Sequence, residues 1–272
     1  MGTHDDYVLG REAEEYDRLR WQARLWERET ATLLDRAGLS PGARCLDVGS
    51  GPGETMRLMA ERAGPTGQVI GVDTDERLGR DALDRLHADG LRRCDFVPAD
   101  IEADDIPESL GEAGFDLVFA RLLLIHLTDP VAALRRMWRW TAPGGVLVVQ
   151  EFDLRTVDVD PPLDVVRRWH DLFAGLGSDG RLGHRLPALF RDAGIGEPDD
   201  THVAGRLERF DTTLSYMLAA TYRSARPAAV KLGVITEEEG AAWFADLTTA
   251  VGTAGHHAAL WPLLIGAYKR KP

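Results

Sequence analysis

Five short apolar runs alternate with helical segments between residues 43 and 151, and this rhythm restricts the fold more than any other feature of the chain. The runs are ARCLDVG (43–49), QVIGVD (68–73), CDFVPAD (94–100), FDLVFA (115–120) and GVLVVQE (145–151). Between them, helix candidates occupy 54–63, 76–88 and 130–140, each introduced by a turn such as Gly53-Glu54 or Thr128-Asp129-Pro130. Strands that alternate with helices at this length build right-handed βαβ units around a mostly parallel sheet. The first 150 residues therefore read as one doubly wound α/β layer.

The flanks read differently. From Arg11 to Arg36 the chain is rich in Glu, Arg, Leu and Ala without Gly or Pro, and Leu19, Trp26 and Leu33 fall at helical spacing, so one or two helices should end at Gly38. After Glu151 the rhythm breaks into a polar loop, DLRTVDVDPP, then an amphipathic stretch at 163–176 and a Gly-rich loop feeding a short helix. THVAGRLERF alternates as a strand, 211–226 and 236–253 read as helices, and HHAALWPLLIGAYKR reads as a strand with Pro262 at a bulge or edge. The region 151–256 is expected to supply helices over the sheet rather than a domain of its own.

Charge narrows the partners. The chain carries 44 acidic against 32 basic residues, a formal net charge of −12, and its Arg residues are scattered among acids. Nucleic-acid affinity rests on clustered Lys and Arg neutralising phosphates, so nucleic acid is not an expected partner. Cys45 and Cys94 stand alone, outside any CxxC or Cys/His cluster, which excludes a zinc motif and a disulfide framework. No apolar stretch approaches the roughly 18 residues of a membrane span, and the start, MGTHDDYVLG, lacks the pattern of a signal peptide, so a cytoplasmic location is expected.

The segment Cys45-Leu46-Asp47-Val48-Gly49-Ser50-Gly51-Pro52-Gly53-Glu54 runs from a buried strand through a turn with alternate glycines into a helix. Glycine there permits positive φ and lets a ligand lie on bare backbone. The carboxyl end of the first strand in such a sheet is also the topological switch point where ligands bind. A dinucleotide GxGxxG starting at Gly49 requires Gly or Ala at position 54, but Glu54 stands there and sets a carboxylate where a pyrophosphate should sit. With no GxxxxGK[ST], a P-loop is excluded as well.

The pattern Asp47-x-Gly49-x-Gly51-x-Gly53 resembles the first motif of class I S-adenosylmethionine-dependent methyltransferases, of the bacterial small-molecule type. The resemblance implies a Rossmann-like, doubly wound sheet of seven mostly parallel strands with one antiparallel strand. N-terminal helices and helical additions after strands five and six complete it. It assigns residues 1–40 to a helical lid and 41–272 to the methyltransferase domain, with cap segments within 153–200 and 211–253. It also implies S-adenosyl-L-methionine as cofactor. Asp47 would face its ammonium, and Gly49, Ser50, Gly51 and Gly53 would lie beneath it. Asp73 with Thr74 would grip the ribose, and Asp100 with Ile101 the adenine.

Each acid also has a plainer reading, since a strand-end Asp is often a helix N-cap; the conjunction of three carries the assignment. FDLVFARLLLIHLTDP resembles the family's lip segment, where Ala120 and Arg121 would supply backbone and His126 would reach the acceptor. Otherwise His126 is a packed, structural histidine. Gln22, in a lid-like helix, would close over the cofactor. Tyr7, Glu151, Trp169, His170 and His184 are candidates to line the acceptor site, although core packing is the readier explanation of Trp169.

The expected function is methyl transfer to O, N or C of a small molecule, in bacterial specialised metabolism; Lys occurs only three times against abundant Arg, Ala and Gly. The alternative is a fold relative that binds the cofactor without transferring methyl, either as a binding module or as a catalyst of cyclisation or rearrangement. No metal site is expected. Apolar positions on the N-terminal helix, with Trp243 and Phe244, leave room for a homodimer.

Overall fold

The computed structural model describes residues 13–103, 110, 114–177, 180–254 and 256–272. Its contacts divide the chain into two compact units. The first comprises Leu19–Glu151, Gly183–Val203 and Ile265–Pro272, and it holds the seven-stranded sheet.

Strands β1 (Arg44–Val48), β2 (Gln68–Asp73), β3 (Cys94–Pro98), β4 (Phe115–Arg121) and β5 (Thr141–Asp153) follow the five apolar runs. With β7 (Asp200–Ala204) and β10 (Leu263–Arg270) they lie in the order β3-β2-β1-β4-β5-β10-β7. β1 pairs in parallel with β2 and β4, β2 with β3, and β4 with β5. At the amino-terminal end of β5, Gly144 N–H donates to Lys271 O and Lys271 N–H to Gly145 O, an exchange in the antiparallel sense. The sheet is thus the expected mixed, mostly parallel one.

The helices around it are bounded where the sequence chemistry places them. α3 (Glu54–Ala63) and α4 (Glu76–Ala88) occupy the expected spans, and α5 (Pro130–Trp140) starts with Pro130 behind Asp129, whose carboxylate accepts from Ala132 N–H. The N-terminal stretch forms α1 (Ala13–Leu25) and α2 (Glu27–Ala37), and Gly38, at φ 82°, ends α2 in the left-handed conformation that glycine favours. Leu33 and Leu34 of α2 pack with Cys45, Met56, Phe119 and Val148 in one core cluster. α7 (Leu182–Asp192) completes this unit's helices.

The second unit comprises Phe152–Leu182 and Ala204–Leu264, with residues 13–18. It contains α6 (Asp164–Gly175), α8 (Thr212–Lys231) and α9 (Glu237–Thr253), and a three-stranded antiparallel sheet of β6 (Asp158–Asp160), β9 (Ala258–Leu260) and β8 (Leu207–Arg209). Two sequence expectations need correction here. DLRTVDVDPP is not wholly loop, because its Asp158–Asp160 pairs with the segment before Pro262, and that proline separates β9 from β10. α8 also continues through Pro227, whose missing N–H forgoes one helical bond while buried Ala225 and Ala229 hold the turn on either side. Tyr222 and Trp243 stack at 3.9 Å in this unit's core.

Candidate functional site

The strand register draws the site together. Val48 lies opposite both Val72 and Ala120, Asp73 opposite Pro98, and Arg121 opposite Gln150, so the carboxyl ends of β1 to β5 form one row. Residues that follow these positions emerge along the edge where open α/β sheets bind ligands.

The glycine turn is anchored to β2: Gly49 and Ser50 N–H both donate to Val72 O, at 2.8 and 3.0 Å. Gly49, Gly51 and Gly53 have φ of 72°, 48° and 77°. A methyl group on Gly49 would lie 2.8 Å from the Leu123 side chain, and one on Gly53 would lie 2.9 Å from Ala82 Cβ. Above Gly51 there is nothing within 4 Å among the described residues. The outer glycines are therefore closed by packing and the middle one faces open space.

Beneath this turn, Asp47 is 1% exposed, and among the described residues neither its Oδ2 nor the buried Ser50 Oγ has a hydrogen-bond partner. Burial pushes Asp47 up to about 7; the Arg121 charge opposes this and the nearby Asp73 adds to it.

Asp73 does more than end a strand. Its Oδ2 accepts from Gly51 N–H at 2.8 Å and its Oδ1 from Asp75 N–H at 2.9 Å, while Asp75, not Asp73, caps α4 through Leu78 N–H. Burial raises the Asp73 pKa against these two bonds. Each carboxylate oxygen keeps a second lone pair for a ligand hydroxyl. Thr74 beside it is exposed.

Asp100 Oδ1 accepts from Glu102 N–H at 2.8 Å, and Ile101 is buried. Arg136 of α5 donates to the carbonyls of Ile101 and Ala103, and Glu102 Oε1 accepts from Thr128 and Asp129 N–H at 2.9 Å each. The loop after β3 is in this way tied to the segment after β4.

After β4 the backbone is strained: Leu122 has φ 54°, the one positive value outside glycine among the described residues. Its N–H donates to Gln150 O at 2.8 Å, which leaves Leu123 packed over Gly49 and starts a 3-10 turn, Leu124–His126. Glu151, 1% exposed, accepts from Leu124 N–H at 2.7 Å; burial pushes its pKa up to about 8. His126 is exposed at the end of that turn, and Ala120 is fully buried at the strand end.

Other candidates fall elsewhere. Gln22 is buried on α1 and His184 exposed on α7. Trp169 is 2% exposed and donates Nε1–H to Thr221 Oγ1, and His170 Nε2 bonds Val157 O, so both make these contacts inside the second unit. Tyr7 lies outside the described residues.

Sequence reading overlooked Thr30 and Gln150, and it valued Arg121 only for its backbone. Thr30 Oγ1 donates to Gln150 Oε1 at 2.8 Å and accepts from Arg121 Nη1 at 3.1 Å. The available signal was a polar residue within each apolar run, Gln150 in GVLVVQEF and Arg121 in LVFARLLLI.

Residues 39–180, more than half of the chain, match the methyltransferase domain family. The chain belongs to the class I S-adenosylmethionine-dependent methyltransferase family. Among curated relatives, the chain is 38% identical over 130 residues to the ubiquinone/menaquinone biosynthesis C-methyltransferase UbiE of Ectopseudomonas mendocina (strain ymp), covering 47% of this chain and 48% of that one. It is 31% identical over 172 residues to an uncharacterized 37.1 kDa protein in transposon TN4556 of Streptomyces fradiae, covering 62% and 48%. The chain thus spans about half the length of the curated relatives it matches.

Among solved structures, the chain resembles protein BH2331 of Bacillus halodurans C-125, with TM-score 0.60 and 17% identity over 90% of this chain and 99% of that one. It also resembles the [4+2]-cyclase SpnF, with TM-score 0.51 and 22% identity over 90% and 81%. These likenesses concern the fold. The residues present fit the family's cofactor: among the described residues the buried Asp47 oxygen and Ser50 hydroxyl lack partners, and the cradle at Gly51 is one that a side chain would fill. No described helix is long and apolar enough to cross a membrane.

Proposed function

We propose that this protein transfers the methyl group of S-adenosylmethionine to a small-molecule acceptor. The observation that carries the reading is the row of strand ends: Asp47 and Asp73 lie at the carboxyl ends of β1 and β2 and Asp100 just beyond β3, around a glycine turn open at Gly51. When bound, the cofactor supplies an electrophilic methyl on sulfur. The chain's own work is to align the acceptor and exclude water. Asp73 binds the ribose hydroxyls, Asp100 and Ile101 hold the adenine, and the buried Asp47 faces the ammonium.

His126, at the end of the 3-10 turn, takes a proton from the acceptor where one must leave. Glu151 suits that task less well, because a carboxyl raised to about 8 is neutral at pH 7 and already accepts the Leu124 N–H. Asp47 and Glu151 are each one side chain in a wall, whereas His126 ends a turn whose backbone is fixed. The acceptor belongs to specialised metabolism, and the protein works in the cytoplasm; the Arg-rich, Lys-poor composition supports the first part of this reading.

The test is calorimetric titration with S-adenosylhomocysteine, followed by detection of S-adenosylhomocysteine formed from S-adenosylmethionine across an acceptor library. Tight binding with product formation supports methyl transfer. Binding with no product on any acceptor overturns it in favour of a non-transferring fold relative. His126→Ala is expected to lower turnover by about 100-fold or more, as loss of a general base does, with S-adenosylhomocysteine affinity within about twofold. A full rate in that variant returns His126 to a structural role.

A further inference from the structure

The turn that carries His126 is held from both sides, within the first unit. Upstream, Leu122 N–H donates to Gln150 O at 2.8 Å and Leu124 N–H to the Glu151 carboxylate at 2.7 Å, so β5 fixes the entry. Downstream, Glu102 Oε1 accepts from Thr128 N–H and Asp129 N–H at 2.9 Å each. Between these anchors lie only Ile125, His126 and Leu127, and the amides of His126 and Leu127 close the turn on Leu123 O and Leu124 O. Glu102 thus sets where the chain leaves the turn.

The helix that follows does not need Glu102 for its start. Pro130 and the Asp129 carboxylate, which accepts from Ala132 N–H, already begin α5, and Thr128 stands outside it. Two amides on one carboxylate oxygen make charge-assisted bonds, stronger than neutral ones. What they hold is the pair of residues just behind His126 and Leu127.

The same side chain is fastened to the ligand edge. Glu102 N–H donates to Asp100 Oδ1 at 2.8 Å, and Arg136 of α5 donates to the carbonyls on either side of Glu102, those of Ile101 and Ala103. Side chains therefore cross in both directions, from the loop to the segment before α5 and from α5 back to the loop. A ligand that orders Asp100 and Ile101 orders the exit of the His126 turn with them.

We infer that Glu102 is a positioning residue that couples the loop after β3 to the placement of His126. It acts through the backbone of Thr128 and Asp129 and moves no proton itself. This rests on the functional reading above, which sets adenine at Asp100 and Ile101 and has His126 take a proton from the acceptor.

The experiment follows the His126 ring signal in magnetic resonance spectra of protein labelled with 15N-histidine, the signal being identified by its loss in His126→Ala. Saturating S-adenosylhomocysteine should shift this signal in wild-type protein. Glu102→Leu should bind the ligand within about threefold of wild type, because Asp100 is untouched, yet lose most of the shift. Glu102→Gln keeps an amide oxygen for both donors and should restore it. A Glu102 that merely stabilised the fold would lower the melting temperature of Glu102→Leu and leave the ligand-induced shift as it is.

Retention of the full shift in Glu102→Leu overturns the inference, as does its loss in Glu102→Gln. Thermal unfolding and calorimetry establish that Glu102→Leu is folded and saturated; where it is not, a full shift in Glu102→Asp, whose carboxylate is one methylene too short for both amides, overturns the inference in its place. Wild-type protein that binds S-adenosylhomocysteine with the His126 signal unmoved overturns the inference alone. Wild-type protein that does not bind it overturns the functional reading, and the inference with it.

Discussion

Asp73→Ala is expected to weaken S-adenosylhomocysteine binding by about 100-fold, and the same variant should unfold more easily than wild type. The first effect follows from removing a carboxylate that can accept from both ribose hydroxyls, since hydrogen bonds to a charged partner contribute roughly 1.5–3 kcal/mol. As a strand-end acid considered alone, Asp73 would be dispensable for stability. Its Oδ2 accepts from Gly51 N–H and its Oδ1 from Asp75 N–H, however, so the substitution strips two backbone donors at once. A loss of about 1–3 kcal/mol is the expected scale for donors left without partners.

Asp73→Asn separates the two effects. It preserves an amide oxygen for one backbone donor and sets an amide NH2, itself a donor, against the other, so stability should fall between wild type and Asp73→Ala while affinity falls nearly as far. Calorimetry and thermal unfolding, run side by side, check both. Unchanged affinity in Asp73→Ala would remove the ribose assignment.

The second large effect is on pH. Burial pushes Asp47 up to about 7 and Glu151 up to about 8, from ordinary carboxylate values of 3.8 and 4.5. In both cases the fold favours the neutral form, so the native state holds protons that the unfolded chain has released. Their contribution to stability is fully present below about pH 4 and is lost as pH rises through 7 and 8, by on the order of a few kcal/mol in all. Melting temperature should therefore fall between pH 5 and pH 9. Asp47→Asn and Glu151→Gln should each flatten that slope, and a wild-type melting temperature independent of pH over this range would refute the assignment.

Ligand binding should move in the opposite sense at Asp47. An ammonium placed beside it favours the carboxylate, so affinity for S-adenosylhomocysteine should climb as pH rises towards 7, with a proton released on binding. Titrations in buffers of different ionisation heat measure that release directly.

Residues 43–151 were readable because local chemistry and long-range order agree there. Asp129 followed by Pro130 starts a helix in any context, and the VIGVD run can only be a buried strand between two others. The small sheet of β6, β8 and β9 left no such trace: three residues at 158–160 have no periodicity, and their partner is about a hundred positions away. Asp47, Asp73 and Asp100 were legible from their place after strands. The support beneath them was not, because nothing local connects Thr30 to Gln150, and only the pairing of β4 with β5 sets Arg121 beside that pair. Trp169 shows the converse, an aromatic residue on an amphipathic helix whose indole N–H is already engaged by Thr221.

β10 occupies an interior place in the large sheet, between β5 and β7, yet it follows every other described strand along the chain. During synthesis, the polypeptide up to α9 can assemble β1 to β5 with the whole cofactor edge, but β5 then ends in bare N–H and C=O groups, and β7 has nothing to pair with. Such an edge recruits foreign strands. A chain halted before β10 would therefore present an adhesive flank beside a ligand edge already in place, a flank that β10 covers when it pairs with β5.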